Sequence, residues 1–165
     1  MNEEDDSQID QADFRRALSC FATGVAVVTT VDANNRRAGI TVSSFNSVSL
    51  DPPLILWSIA DLAYSYEAFI NAKYFAVNVL TREQAHLSAR FALKGTDKFD
   101  GLDCREGLHG LPILEKTAAC FECSTEHRYE GGDHKIIVGR VLRFEDRVTD
   151  PLIWYRGQFL GRGES

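Results

Sequence analysis

Basic runs, export signals, long apolar runs and nucleotide-binding glycine motifs are all missing from this 165-residue sequence, and each absence removes a class of protein. A formal net charge of -6 and a pI of about 5.2, with no basic run anywhere, argue against a phosphate-backbone partner, so no nucleic acid is expected. The longest apolar stretches, such as Leu54 to Trp57, are far too short to cross a bilayer, and no membrane association is expected. Met1-Asn-Glu-Glu-Asp-Asp is the reverse of the positive start of a signal peptide, which leads us to expect a cytoplasmic protein. Neither G-x-G-x-x-G nor G-x-x-x-x-G-K-[ST] occurs, so a Rossmann fingerprint and a P-loop are both excluded, and H-E-x-x-H and G-x-S-x-G are absent too. His86, His109 and His127 form no ligand spacing, so no metal site is expected, and they read as surface or rim residues.

Cysteine is also scarce. Cys20, Cys104, Cys120 and Cys123 are too few for a disulfide scaffold. Cys120-Phe-Glu-Cys123 has the spacing of a zinc or redox pair, but it lies in a strand-like segment where an odd offset sends the two sulfurs to opposite faces. Both read as structural thiols.

What is present is ordinary globular material. Hydrophobic residues at 44% and charged residues at 25% suit one folded domain, expected over residues 13–161 between an acidic disordered tail at 1–12 and a short tail at 162–165. Phe14, Ala17, Leu18 and Phe21 recur at helical spacing after Asp10, a good N-cap, with Gly24 beyond the end. Strands are predicted over Val25 to Val31, Arg37 to Val42, Ser47 to Leu50, Leu54 to Ile59, Phe75 to Leu80, Thr117 to Arg128 and Lys135 to Glu145, with helices over Ala63 to Asn71 and Arg82 to Leu93. Lys94 to Lys116, with four glycines, a proline and little periodicity, reads as a functional flap. Hairpin-length joints between most strands predict a mainly β, closed or nearly closed antiparallel barrel with a few flanking helices.

The most informative stretch runs from Arg37 to Trp57. It sets the hydroxyls of Thr41, Ser43, Ser44, Ser47 and Ser49 between two apolar strands, short donors and acceptors that suit a polar cofactor approached by backbone. By composition alone it reads as an exposed Ser/Thr-rich turn. Three further segments accompany it: Arg90-Phe-Ala-Leu-Lys-Gly-Thr-Asp-Lys98-Phe99, Gly132-Asp133-His134 on a hairpin turn, and Leu152-Ile-Trp-Tyr155-Arg156-Gly-Gln-Phe159.

In order and spacing these four segments resemble the short-chain flavin reductase family, the FMN-binding split barrels that supply reduced flavin to two-component monooxygenases. The resemblance covers about Asp13 to Gly161. It implies an antiparallel, Greek-key split barrel and hydride transfer from NADH or NADPH to FMN, with FAD possible. It places Thr41, Val42, Ser43, Ser44, Ser47, Ser49, Arg90, Lys98 and Phe99 around the flavin, Lys98 at its phosphate and Phe99 beside its ring. At Val42 many relatives carry a smaller or polar residue. His134 is implied to act in catalysis and, with Tyr155 and Arg156, to meet the nicotinamide. A homodimer and diffusible transfer of reduced flavin to a monooxygenase are implied as well. Reduction of another acceptor, a cobalt corrin or ferric chelate, a flavin-binding module without turnover, and a plain β-barrel interaction domain remain open at this point.

Overall fold

The structure is a computed structural model that describes residues 9–95 and 97–160. Most of the expected acidic tail and all of the tail at 162–165 lie outside the described residues. The elements in order are α1 (Gln11–Leu18), β1 (Thr23–Gly24), β2 (Ala26–Val31), β3 (Arg37–Val42), β4 (Asn46–Leu50), β5 (Pro53–Ala60), α2 (Tyr66–Ile70), β6 (Tyr74–Val79) and α3 (Ala85–Ala92). They continue through β7 (Cys104–Glu106), β8 (Pro112–Leu114), β9 (Ala119–Glu130), β10 (His134–Asp146), β11 (Ile153–Tyr155) and β12 (Gln158–Phe159).

Seven strands form one sheet in the order β3-β2-β6-β9-β10-β5-β4, antiparallel at every pairing. Among the described residues β3 and β4 do not pair, so the sheet stays open, although β3 and β5 approach each other and curl it. A three-stranded sheet, β1-β11-β12, and the β7–β8 hairpin complete the strands.

Alternation along β2 explains why the chain builds two cores. Val28 faces a cluster with Trp57, Phe69, Phe75, Val77 and Ile137, while its neighbour Val27 faces Leu80, Phe91, Phe99, Leu114 and Leu152. A strand covered on both faces is apolar throughout, as Val25 to Val28 is. The same alternation separates the two β9 thiols as expected: Cys120 packs with Leu111 and Ile113, and Cys123 with Phe75 and Trp57. Burial pushes the Cys120 thiol up to about 12 and Cys123 higher still.

Three expectations need correction. The stretch from Lys94 to Lys116 is not a flap over its length, because β7 and β8 fold it inward and Leu111, Pro112, Ile113 and Leu114 are all buried. Its backbone is tied down by two polar side chains: Thr29 Oγ1 donates to the Pro112 carbonyl at 2.6 Å, and Asn78 Oδ1 accepts from the Leu114 amide at 3.0 Å. Buried Glu122 adds a third tie, accepting from the Leu108 amide at 2.5 Å and from Arg143 Nε at 2.7 Å. The helix expected over Ala63 to Asn71 shortens to Tyr66–Ile70. At the N-terminus α1 forms as expected, with Asp10 Oδ1 accepting from the Asp13 amide at 2.8 Å, but none of its residues is buried. Its apolar stripe of Phe14, Leu18 and, just beyond, Phe21 has nothing packed beneath it among the described residues.

Candidate functional site

The loop after β3 takes its shape from Ser44. Its Oγ donates to the Ser58 carbonyl at 3.2 Å and accepts from the Ser58 amide at 2.9 Å, which clips the loop to β5 near its C-terminal end. With Ser44 spent on that clip, the backbone amides of Ser43, Ser44 and Phe45 have no hydrogen-bond partner among the described residues. The Ser43 side chain is exposed and its hydroxyl uncommitted among the described residues. Ser47 and Ser49 follow on edge strand β4, where a bulge at Val48 lets Ser47 oppose Ile55 and Ser49 oppose Leu54. Val42 is buried in the core, with its side chain among Trp57 and Ile59.

Two residues further along β5, Ala60 pairs with His134 at the start of β10. A separation of two residues is about 7 Å along a strand, so the Ser44 clip and His134 flank the same strand end. The hairpin that carries His134 turns at Gly132, where φ is +75°, a conformation natural to glycine. His134 Nδ1 lies 2.7 Å from Asp133 Oδ1. That hydrogen bond, followed by the imidazole's charge, holds the Asp133 carboxyl below the ordinary range, and Arg15 of α1 adds a smaller effect in the same direction.

A second group gathers at the middle of β3. Thr41 Oγ1 donates to the Ser88 carbonyl at 2.7 Å and so docks α3 on β3. Lys98 is only 8% exposed, and its ammonium donates to the carbonyls of Gly39 at 3.1 Å and Phe91 at 2.8 Å. Two of its three N–H donors are therefore committed to the fold, and burial pushes the ammonium's pKa down. Phe99 meets Phe91 edge-on with centroids 5.1 Å apart, and Arg90 donates to the Asp100 carbonyl. A wide cleft of about 1430 Å³ opens beside this group, with Arg37, Gly39, Tyr64, Lys98, Phe99 and His109 on its walls. His109 stacks flat on Tyr74 at 3.7 Å.

Tyr155 and Arg156 form a third group, at the end of α1. Arg156 and Gly157 both have positive φ, 46° and 83°, making the tight turn that joins β11 to β12. The Arg156 amide donates to the Ser19 carbonyl at 3.0 Å, and its guanidinium lies 3.6 Å from Cys20 Sγ. The fold thus brings the loop and His134 to one strand end, keeps Arg90, Lys98 and Phe99 apart from them along β3, and sets Tyr155 and Arg156 against α1. Sequence reading missed Ser58, whose alternation with Trp57 and Ile59 on β5 was the available signal. It also missed the arginines of α1, for which Arg15-Arg16 was the only trace. Among the described residues no cluster of histidine, cysteine and carboxylate side chains could hold a metal.

Among the described residues, three unpartnered amides and uncommitted hydroxyls lie at a sheet end one strand away from a hairpin histidine, a donor set whose chemistry suits a flat, polar ligand. The chain belongs to the flavin reductase like domain family, whose model matches residues 18–161. It is 47% identical over 146 residues to an FMN reductase (NADH), SmoA, of Agrobacterium fabrum, covering 88% of this chain and 83% of that one. It is 40% identical over 154 residues to the reductase subunit HsaB of a flavin-dependent monooxygenase of Rhodococcus jostii, covering 93% of this chain and 78% of that one. Among solved structures, an NADH:FAD oxidoreductase of Streptomyces globisporus in complex with NAD and FAD fragments superposes with a TM-score of 0.87 at 32% identity, over 94% of this chain and 96% of that one. The chain spans about half, 47%, of the length of a flavin reductase relative from Rhizobium meliloti.

Proposed function

We propose that this chain is an NAD(P)H-dependent flavin reductase that moves hydride from reduced nicotinamide to FMN or FAD and releases reduced flavin to a partner monooxygenase. The observation that carries the reading is the row of unpartnered amides at Ser43, Ser44 and Phe45, two residues along β5 from His134, in a chain of this family. The donor set fits a flavin, whose ring rim and ribityl chain offer acceptors to short neutral donors. A bound flavin supplies the hydride acceptor, and the protein supplies position and dryness.

In this role Ser43, Ser47, Ser49 and the loop amides hold the flavin, Thr41 and Val42 support the loop from beneath, and His134 orients the nicotinamide from the hairpin tip. The Asp133 carboxylate keeps the imidazole in one orientation and favours the proton on Nδ1. Lys98 keeps one N–H for a phosphate, while Arg90 and Phe99 line the approach. Tyr155 and Arg156 border the nicotinamide side. The split-barrel topology belongs to the same proposal and is supported by the curl that brings β3 toward β5. So does a homodimer, supported by aromatic surface a single chain leaves bare: Phe144 is 67% exposed beside Phe121, which in turn packs on Phe45.

Titration of FMN and of FAD with the purified protein, read by flavin fluorescence, tests the site directly. Saturable quenching supports it, and quenching without NADH oxidation would identify a non-catalytic flavin module. No quenching by either flavin would leave a plain β interaction domain.

A further inference from the structure

Two glycines in succession, Gly131-Gly132, form the tip of the β9–β10 hairpin, and with Asp133 they are exposed. A glycine pair leaves a turn conformationally free, so a histidine carried just beyond it needs ties from outside if it is to stand in one place. The strand ladder helps least here, since His134 and Ala60 are the last pair between β10 and β5, and strand ends fray. Within the hairpin the Gly131 amide donates to the His134 carbonyl at 2.9 Å, and Lys135 Nζ donates to Glu130 Oε2. Neither bond reaches beyond the hairpin itself.

Asp61, directly after β5, supplies the outside ties. Its amide donates to the Asp133 carbonyl at 3.0 Å, and its Oδ1 lies 3.7 Å from Lys135 Nζ. Among the described residues no other recorded hydrogen bond or ion pair joins the connection from β5 to α2 to the hairpin tip. That connection is itself well held: the Ala63 amide donates to the Ala60 carbonyl at 2.9 Å, the Tyr66 amide to the Ala63 carbonyl at 3.0 Å, and Tyr66 packs against the core that contains Trp57 and Phe69. Alternation puts Lys135 on the opposite face of β10 from His134, the face of buried Ile137. Lys135 can therefore hold the strand end without entering the face on which His134 stands. Its side chain is 18% exposed, against 80% for Glu130, and the hydrogen bond to Glu130, with the charge of Asp61 acting the same way, pushes its pKa up.

We propose that Asp61 and Lys135 are positioning residues that clamp the hairpin tip to the connection from β5 to α2 and so fix where His134 stands. The inference rests on the reductase reading, in which His134 orients the nicotinamide, and adds to it the groups that aim the imidazole. Asp61 holds both neighbours of the histidine, Asp133 through the backbone and Lys135 through charge. Asp133 is also the residue whose carboxylate lies 2.7 Å from the imidazole, so a tip that drifts carries the imidazole and its partner with it. An ion pair this exposed adds little to global stability, so its loss is felt at the tip and not in the melting temperature.

The test compares the full-length wild type with Lys135→Met, which keeps an unbranched stem, Asp61→Asn, which keeps the backbone amide, and Lys135→Arg, which keeps the charge. With FMN saturating, Lys135→Met and Asp61→Asn should each slow flavin reduction by NADH about tenfold in stopped flow, the scale of a modestly misplaced group. Flavin affinity and melting temperature should stay near wild type, and Lys135→Arg should keep most of the rate. Combined with His134→Ala, neither variant should slow the reaction further. A tenfold loss that persists in the His134→Ala background, or a wild-type rate in either single variant, would overturn the assignment. Amide hydrogen exchange reads the clamp without turnover: the Asp61 amide should exchange about tenfold faster in Lys135→Met, and unchanged exchange would equally overturn it. Faster exchange in a protein that oxidises no NADH would keep the clamp and sink the reductase reading instead.

Discussion

His134 and Lys98 show how differently two polar residues singled out by the same resemblance are used. His134 stands on an exposed hairpin with one nitrogen on Asp133, leaving the other to meet a ligand. Replacing it with alanine should slow flavin reduction by NADH about a hundredfold, the scale of losing one preorganised donor, while flavin affinity changes little. Stopped-flow reduction beside a fluorescence titration separates the two, and equal wild-type rates would remove the role. Lys98 instead serves the fold first, through the Gly39 and Phe91 carbonyls. Its pKa is lowered in the folded state, so the unfolded chain binds more protons between that lowered value and 10.5, and stability gains from this group as pH rises through the window. The melting temperature of wild type relative to Lys98→Met should therefore climb toward pH 10.5, and a difference flat with pH would contradict the assignment. The hydroxyl loop and the hairpin histidine were singled out by the family resemblance, since short polar residues between strands read by composition alone as a turn. The ties of Lys98 to Gly39 and of Thr41 to Ser88 were not legible, since those partners are 59 and 47 residues distant.

Strands were the most legible elements, because β-branched and alternating runs carry a period that helices cannot imitate. The stretch from Lys94 to Lys116 was misread for a physical reason. Its order comes from Thr29, Asn78 and Glu122, residues of other strands that satisfy its backbone, and not from any periodicity of its own. Glu122→Gln should consequently cost about 1–3 kcal/mol in a denaturant titration, because it weakens the hold on the Leu108 amide and takes the charge partner from half-exposed Arg143. Close approach of elements makes a second prediction. A Cβ at Gly39 would lie 2.5 Å from the Phe91 ring, between β3 and α3, so Gly39→Ala should destabilise by about 1–3 kcal/mol and displace the Phe91–Phe99 pair. The α1 helix was legible from its cap and spacing, but its exposed apolar stripe was not, since periodicity tells that a face is apolar without telling what lies opposite.

At the scale of the molecule the mainly β architecture followed from strand count and short joints, whereas an open seven-stranded order with β6 inserted between β2 and β9 depends on long-range pairing that local pattern does not encode. Sedimentation should find a homodimer, and Phe144→Glu should shift it toward monomer; an unchanged monomer in both would remove the proposed contact. The role proposed for the loop amides and His134 is hydride transfer to flavin. It is tested most directly by following the near-ultraviolet absorbance of reduced nicotinamide when purified protein is mixed with NADH or NADPH and with FMN or FAD, against protein-free controls. The account predicts rapid loss of that absorbance that requires both protein and flavin, and persistence of the signal with flavin bound would contradict it.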